Sequence, residues 1–206
     1  MSELNNTALK LLENGKGILA ADESTGTIAK RFKSINVENL EKNRLTFRQT
    51  LFNSSGMKDY IGGVILFDET IRQKTTLGPT VPELIKNQGA IPGIKVDKGA
   101  KLLAGSNEET ITEGLDGLRE RLKEYYDLGA RFTKWRAVYK ISEKYPSSQS
   151  IKSNAHALAR YAALVQESNM VPIIEPEVLM DGSHDIEKCY QVTTNVLNEC
   201  YNELEL

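Results

Sequence analysis

The sequence predicts an α/β fold of the (β/α)8 TIM barrel type, of which it supplies about the first five β/α units. Two observations carry this prediction: five apolar, β-branched runs recur every thirty to forty-five residues, and helical patterns fill the gaps between them. Strands that alternate with helices form a parallel sheet, and near-continuous apolar runs are typical of strands buried on both faces. The predicted strands are residues 17–22, 61–67, 91–96, 131–138 and 171–179.

The helices are predicted from apolar residues that recur three or four positions apart. They are residues 37–52, a helix that starts near residue 115 and ends at Gly129, and residues 153–168 and 185–203. The first of them places Leu40, Arg44, Phe47 and Leu51 on one face, and the last has one apolar stripe of Cys189, Val192, Val196 and Cys200. Each helix follows one predicted strand, as the βα alternation requires.

A doubly wound sheet is the alternative architecture, but the dinucleotide fingerprint G-x-G-x-x-G is absent from the sequence. A complete (β/α)8 barrel needs about 250 residues and eight strands, whereas the 206 residues stop after the helix that follows the fifth strand. We therefore expect residues 1–206 to form a single barrel domain that is incomplete on its C-terminal side.

The composition argues against several classes of partner. A formal net charge of -2 and a pI near 5.8 leave no basic surface for nucleic acid. No run approaches the roughly 18 apolar residues of a membrane span, and the N-terminus lacks the basic and apolar segments of a secretory signal. We predict a cytoplasmic protein without a nucleic-acid or membrane partner.

The cysteines and histidines are few. Cys189 and Cys200 fall on one predicted helix about 16 Å apart, which is too far for a disulfide. His156 and His184 are too few for a histidine-rich metal site. We expect two reduced thiols and no metal.

Charged residues cluster near the C-terminal ends of four predicted strands. Asp22 ends the first strand, and three pairs of charges stand two residues apart on the third, fourth and fifth strands. Those pairs are Lys95 with Asp97, Lys134 with Arg136, and Glu175 with Glu177. Because side chains alternate along a strand, each pair is expected to point to one face. Barrel enzymes hold their active sites at this end of the sheet.

The alternative is a structural network of ion pairs that ties the strands together. Burying an ion costs several kcal/mol, and apolar replacements often stabilise a protein as well or better. A repeated cost on four strands, always near one edge, favours chemistry over structure.

The charges fall into two functional sets. Three carboxylates can act as general acids and bases, and three cations can hold a phosphate or stabilise an oxyanion. They are Asp22, Glu175 and Glu177 in the first set and Lys95, Lys134 and Arg136 in the second. The spacing alone nominates Lys134 for a Schiff base with a ketone.

The loop after the first strand adds hydroxyls from Ser24 and Thr27, ahead of Lys30 and Arg31. If a helix begins here, its free N–H groups offer a seat for an anion. A plain helix cap is an equally good interpretation of these hydroxyls alone. Together with the basic residues, they favour a phosphorylated substrate.

Six segments, which hold these same residues, give the sequence a resemblance to a known family. They are GKGILAADESTGTIAKRF (15–32), GGVILFDET (62–70), GIKVDKG (93–99), EGLDGL (113–118), ARFTKWRAV (130–138) and PIIEPEVL (172–179). In this order they resemble class I fructose-1,6-bisphosphate aldolase, from about residue 9 to the last helix. The resemblance implies a cytoplasmic glycolytic and gluconeogenic enzyme, usually a homotetramer. It implies cleavage of fructose 1,6-bisphosphate to dihydroxyacetone phosphate and glyceraldehyde 3-phosphate through a lysine Schiff base, without a metal or other cofactor.

The resemblance also implies a role for each residue of the site. Asp22 would orient the hydroxyl and carbanion region of the substrate, and Lys134 would stabilise charge during carbinolamine and imine formation. Glu175 would be the acid and base of Schiff-base formation and C–C cleavage, supported by Glu177. The residues implied at the C6-phosphate end are Arg136, Lys95, Ser24 and Thr27, with Lys30 and Arg31 nearby.

The sequence departs from the family in one respect. The family's Schiff-base lysine lies on the sixth strand, in a motif that resembles LEGTLLKPNM, and no such motif occurs in the 206 residues. The loops that hold the C1 phosphate, after strands seven and eight, are missing too. We therefore expect the 206-residue chain to be inactive alone. The alternative function is a non-catalytic, phosphosugar-binding or scaffold fragment.

Overall fold

All five predicted strands are present in the computed structural model, which describes residues 2–205. The strands of this part of the chain are β1 (Gly17–Ala21), β2 (Ile61–Leu66), β3 (Ile91–Lys95), β4 (Ala100–Leu102), β5 (Thr110–Thr112), β6 (Phe132–Tyr139) and β7 (Val171–Val178). The five predicted strands form one sheet in the order β1-β2-β3-β6-β7. Each barrel strand therefore lies beside the next one along the chain, as the predicted fold requires.

The sheet is parallel, and its register follows from the hydrogen bonds. β1 pairs with β2 in parallel, and β2 pairs with β3 in parallel. Arg131 N donates to Pro92 O at 2.9 Å and Val96 N donates to Lys134 O at 3.1 Å, so β3 and β6 run in the same direction. β7 runs in the same direction as β6, because Val171 N donates to Arg131 O at 3.0 Å and Leu179 N donates to Tyr139 O at 2.9 Å.

Helices occupy the connections between the strands. They are α1 (Glu3–Leu12), α2 (Thr25–Ser34), α3 (Glu41–Phe52), α4 (Met57–Tyr60), α5 (Asp68–Ile71), α6 (Val81–Asn87), α7 (Leu118–Asp127), α8 (Ser148–Glu167) and α9 (Ile186–Glu205). The four predicted helices are α3, α7, α8 and α9. None of the helices in residues 2–205 is long and apolar enough to cross a membrane.

Three predicted helix starts are wrong, each for a local reason. α3 begins at Glu41 rather than at residue 37, because the Arg44 guanidinium donates to Asn39 O at 2.9 Å and holds that residue outside the helix. α7 begins after residue 117, where Gly117 has a φ of 63° that a right-handed helix does not accept. α8 begins at Ser148, five residues early, because the Ser147 hydroxyl accepts from Ser150 N at 3.2 Å.

The antiparallel hairpin of β4 and β5 was not predicted. Each strand has three residues, and all of β4 is exposed to solvent. Such short strands carry no apolar run that a sequence pattern detects. The hairpin occupies the connection between β3 and α7.

The chain divides into two compact units. Unit 1 contains residues 2–95, Glu120–Thr133 and Ser168–Val171, and unit 2 contains Val96–Arg119, Lys134–Glu167 and residues 172–205. The prediction of a single barrel domain over residues 1–206 stays a prediction.

Phe132 fills the centre of unit 1, where two glycines make room for its ring. Phe132 is fully buried. A Cβ atom at Gly93 would lie 2.3 Å from the Cζ atom of Phe132, and one at Gly63 would lie 3.0 Å from its Cε1 atom. Because protein interiors are close-packed, a side chain at Gly93 would displace the ring, whereas one at Gly63 would first meet Leu11 Cδ2 at 2.4 Å.

In unit 2, the long helices α8 and α9 pack on each other, and α8 also contacts β6. Trp135 and Tyr161 are fully buried, with ring centroids 5.3 Å apart. Val196 and Cys200 on α9 are also buried, as the stripe in the sequence predicts. Both cysteines are free, as expected, and burial raises the pKa of Cys200 to about 11.

Candidate active site

The predicted site residues are distributed over both units, and each unit holds its own set. Unit 1 contains Asp22, Ser24, Thr27, Lys30, Arg31 and Lys95, and unit 2 contains Lys134, Arg136, Glu175 and Glu177. The prediction that residues from four strands meet at one rim stays a prediction.

In unit 1, Asp22 directly follows β1 and is only 8% exposed. Its neighbour Glu23 is fixed by Arg48 of α3, whose Nη2 atom donates to Glu23 O at 2.6 Å. The Nη1 atom of Arg48 donates to Thr70 Oγ1, also at 2.6 Å. One arginine therefore anchors the backbone immediately after the candidate aspartate.

Arg48 is fully buried, and its charge is balanced by two glutamates. Its guanidinium nitrogens lie 3.9 Å from Glu23 Oε2 and 4.0 Å from Glu69 Oε1. Burial lowers the pKa of Arg48, and the two carboxylates oppose that shift. Glu69 in turn accepts two hydrogen bonds from Arg44, at 2.8 and 2.6 Å, which hold the pKa of Glu69 below its ordinary value. We call Arg44, Arg48, Glu23, Glu69 and Thr70 the arginine network.

Ser24 acts as the N-cap of α2. Its Oγ atom accepts from Thr27 N at 3.3 Å and lies 3.0 Å from Thr27 Oγ1. The capping alternative is therefore realised, and the phosphate role of these hydroxyls stays a prediction.

The basic residues of unit 1 differ in their surroundings. Lys30 and Arg31 are exposed on α2, where Arg31 forms an ion pair with Glu23. Lys95 is the last residue of β3 and is half-buried. Because β3 ends there, strand alternation does not extend to Asp97, and the predicted Lys95–Asp97 pairing on one face has no basis in a strand.

In unit 2, Lys134 and Glu175 form an ion pair across β6 and β7, with Nζ and Oε2 3.1 Å apart. The side chain of Lys134 is 10% exposed, whereas that of Glu175 is 37% exposed. The sequence predicted both residues for the site. The geometry places an ammonium group, mostly shielded from water, against a carboxylate that still meets solvent.

Arg136 and Glu177 form the second ion pair of these strands. The hydrogen bond from Arg136 Nε to Glu177, together with the charges of Glu175 and Asp97, raises the pKa of Arg136. Both side chains remain more than a third exposed. Two parallel pairs, two residues apart on each strand, thus point to one face, as the alternation predicts.

Asp97 lies beside this second pair. Its Oδ1 atom accepts from Gly99 N at 3.0 Å, and its Oδ2 atom accepts a long hydrogen bond of 3.4 Å from Arg136 N. The sequence pointed to Asp97 only through its spacing from Lys95. Among residues 2–205, no group of three or more His, Cys, Asp or Glu side chains could hold a metal ion.

The arginine network was missed by sequence reasoning. One signal was present, since Arg44 falls within the predicted apolar face of α3. The buried residues of that helix are Arg44, Arg48, Gln49 and Phe52, whereas Leu40 is exposed. An arginine in an apolar stripe indicates a buried partner, but the sequence does not reveal that this partner is Glu69.

The comparisons with known proteins agree on one family. A family model for fructose-bisphosphate aldolase class-I matches residues 3–206. The chain is 58% identical to a probable fructose-bisphosphate aldolase class 1 of Xanthomonas axonopodis pv. citri, over 99% of this chain and 61% of that protein. It is 60% identical to the cytosolic fructose-bisphosphate aldolase 4 of Arabidopsis thaliana, over 92% of this chain and 48% of that protein.

A solved structure extends the likeness to the fold. The fructose-bisphosphate aldolase of Plasmodium falciparum, in complex with TRAP and a small molecule inhibitor, matches with a TM-score of 0.95 and 50% identity. The match covers 98% of this chain and 59% of that one, which confirms the predicted fold class. The chain thus spans about half to three fifths of the length of these relatives.

Proposed function

The chain belongs to the class I fructose-bisphosphate aldolase family, and we propose that it supplies acid–base groups and one phosphate-binding end to a metal-independent aldolase. The reaction is cleavage of fructose 1,6-bisphosphate to dihydroxyacetone phosphate and glyceraldehyde 3-phosphate. The observation that carries the proposal is the Lys134–Glu175 pair, whose carboxylate stays open to solvent beside a shielded ammonium group.

Glu175 exchanges protons with the substrate. When the carbinolamine formed by the substrate ketone and a lysine dehydrates to the imine, Glu175 protonates the departing hydroxyl, which leaves as water. In the cleavage step it takes the proton of the C4 hydroxyl while the C3–C4 electron pair moves toward the imine. The neighbouring Lys134 ammonium stabilises the negative charge that develops in both steps. The imine-forming lysine belongs to the LEGTLLKPNM-like motif, which the 206 residues do not include.

Asp22 orients the substrate hydroxyls, and Glu177 supports Glu175. The burial of Asp22 and the anchored backbone beside it suit a positioning role, because a fixed group loses little entropy when it binds substrate. Glu177 holds Arg136 through its ion pair.

The C6-phosphate end is formed by Arg136, Lys95, Ser24 and Thr27, with Lys30 and Arg31 nearby. Arg136 is bonded to Glu177, and Arg31 is bonded to Glu23. A phosphate dianion offers each guanidinium a stronger, two-pronged partner than a single carboxylate oxygen. When the substrate binds, each of these arginines therefore exchanges its carboxylate partner for the phosphate.

Residues 1–206 form one barrel domain within a cytoplasmic homo-oligomer, a tetramer in the family. The Arabidopsis relatives whose names describe them as cytosolic support the location. Neither a nucleic acid nor a membrane is a partner.

The test uses the chain extended at its C-terminus by the segment that follows the matched region in the Xanthomonas relative, which we call the extended chain. We expect the extended chain to cleave fructose 1,6-bisphosphate in a coupled triose-phosphate assay. Borohydride reduction in the presence of dihydroxyacetone phosphate should then give one adduct, which mass spectrometry assigns to the added segment. An extended chain that folds and lacks cleavage activity would contradict the proposal.

The 206-residue chain provides the complementary test. Under the same reduction it should form no adduct on Lys134 or Lys95, and a stoichiometric adduct on either would show that the supporting role of Lys134 is wrong. Binding of fructose 1,6-bisphosphate to this chain, lost in Arg136→Ala and accompanied by no turnover in the extended chain, would favour the non-catalytic alternative.

A further inference from the structure

The carbonyl groups of β6 keep their hydrogen bonds after β3 has ended. At Lys134, the carbonyl still accepts from the backbone of Val96 at 3.1 Å. Two residues later, Arg136 O accepts from the Thr112 hydroxyl at 2.7 Å. Two residues beyond that, Val138 O accepts from the Thr110 hydroxyl at 3.2 Å. Threonine hydroxyls of β5 thus take the place of backbone donors along β6.

Side chains therefore bind both the N–H and the carbonyl group of the Arg136 backbone. Its carbonyl is bound by Thr112, and its N–H donates the long bond to Asp97 Oδ2. Ordinary sheet residues make both of these bonds to the neighbouring strand. The position of Arg136 consequently depends on where β5 places its threonines.

A buried asparagine fixes β5. Asn154 of α8 is 1% exposed, and its side chain accepts from Thr112 N at 3.2 Å and donates to Thr110 O at 2.9 Å. It also donates to Ser150 O at 3.0 Å, within its own helix. These three bonds use the carbonyl oxygen and both hydrogens of the amide, so the amide has one fixed orientation.

A carboxylate adds a second attachment of the hairpin to α8. Glu109, which immediately precedes β5, is buried and accepts from both the N–H and the hydroxyl of Ser147 at 2.7 Å. Ser147 caps α8. The hairpin is therefore joined to the helix at two places and to β6 at two others.

We infer that Thr112, held in place by Asn154, is a positioning residue for Arg136 and thereby sets recognition of the substrate's C6 phosphate. This inference rests on the proposed function of Arg136. Thr112 bonds to the backbone of Arg136, and the guanidinium reaches the ligand, so loss of the hydroxyl should weaken phosphate binding. We take the C6 phosphate to be bound equally in the ground state and the transition state, so loss of this binding raises KM and leaves kcat unchanged.

The test compares two substrates of the extended chain. Thr112→Val should raise KM for fructose 1,6-bisphosphate about tenfold, as expected for a lost hydrogen bond that misplaces a charged group, with kcat little changed. For fructose 1-phosphate, which lacks the C6 phosphate, KM should stay the same. Thr112→Ser restores the hydroxyl and should restore the parent KM.

Thr50→Val is the matched control, because the Thr50 hydroxyl also donates to a backbone carbonyl, that of Thr46 at 2.9 Å, on the exposed face of α3. It should leave both KM values unchanged. Equal changes of KM for both substrates in Thr112→Val, or no change in either, would overturn the inference. An inactive extended chain refutes the proposed function instead.

A second measurement decides the inference independently of activity. In the 206-residue chain, the Nε–H resonance of Arg136 reports its bond to Glu177 and can be assigned by its loss in Arg136→Lys. Thr112→Val should accelerate hydrogen exchange of this N–H, and Thr112→Ser and Thr50→Val should not. An unchanged exchange rate in Thr112→Val would refute the positioning role.

Discussion

The arginine network of unit 1 and the ion pairs of β6 and β7 in unit 2 use the same chemical groups in opposite ways. Arg48 is fully buried and also bonded to a carbonyl and a hydroxyl, so its charge has a fixed set of neutral and anionic partners. The Glu175 and Glu177 carboxylates each form an ion pair and are more than a third exposed. The first arrangement is closed to a ligand, whereas the second can exchange partners with one.

The difference shows that the number of charged residues in a region does not reveal whether they stabilise the fold or act on a ligand. A buried charge with several partners is costly to disturb, because removal of one group leaves the others short of a partner away from water. A pair whose carboxylate is open to solvent contributes less to stability, because water and salt screen that carboxylate. Stability and activity should therefore respond in opposite ways in the two regions.

The largest effect on stability is expected from Arg48→Met. The substitution leaves Glu23, Glu69 and the Thr70 hydroxyl without their common partner, which should lower the free energy of unfolding by about 3–5 kcal/mol. Urea unfolding of the 206-residue chain, followed by circular dichroism, measures the loss. A loss below about 1 kcal/mol, the range of an exposed pair, would show that the network is not structural.

Glu175→Gln should instead act on the rate. Removal of a general acid–base group should lower kcat of the extended chain by about a hundredfold or more, with a smaller loss of stability than in Arg48→Met. The coupled triose-phosphate assay gives kcat, and urea unfolding gives the stability. If kcat is retained, the pair is a structural ion pair, which is the alternative that the sequence left open.

The pH dependence of stability should separate the two regions further. Arg44 depresses the pKa of Glu69 in the folded chain, so the stability that the pair contributes is complete above the ordinary glutamate pKa of about 4.3 and is lost as the pH falls through the lower folded-state value. Relative to Glu69→Gln, the parent should be more stable by about 1.5 kcal/mol at neutral pH, a value typical of hydrogen bonds to charged groups. That advantage should disappear toward pH 2, as measured by urea unfolding across the range. An advantage that is constant with pH would contradict this prediction.

The smallest effect is expected at the pair formed by Lys140 and Glu108, whose Nζ and Oε2 atoms lie 2.7 Å apart and whose side chains are both more than half exposed. Glu108→Gln makes the same chemical change as Glu175→Gln, in the same unit but in a solvated pair. It should alter neither the urea midpoint nor kcat measurably. If Glu108→Gln lowered kcat as much as Glu175→Gln does, the loss of kcat in Glu175→Gln could not be assigned to a role in the site.

The sequence was sufficient to predict those parts of the fold in which buried residues recur along a single strand or helix. The five strands were predicted because Val64, Ile65 and Leu66 and their counterparts on the other strands form continuous apolar runs. The buried stripe of α9 was predicted because apolar residues recur at helical spacing. Both signals come from residues that are close together in the sequence, so they can be detected without knowing which element packs against the strand or helix.

The remainder depends on contacts between distant segments. Arg44 and Glu69 are 25 residues apart, and Asn154 and Thr112 are 42 residues apart. No pattern within either segment specifies such a contact, because the three-dimensional fold creates it. The charged pairs of β6 and β7 were predictable for a different reason: alternation in two neighbouring parallel strands places them on one face before any contact is known.

The ring of Phe132 makes the sizes of three separate positions interdependent. Because Gly63 and Gly93 leave the volume that this ring occupies, a methyl group gained at residue 93 alone would clash with the ring. A smaller residue at position 132 alone would instead leave a cavity, which lowers stability without a clash. Larger residues at position 93 should therefore become acceptable in evolution only after residue 132 has become smaller.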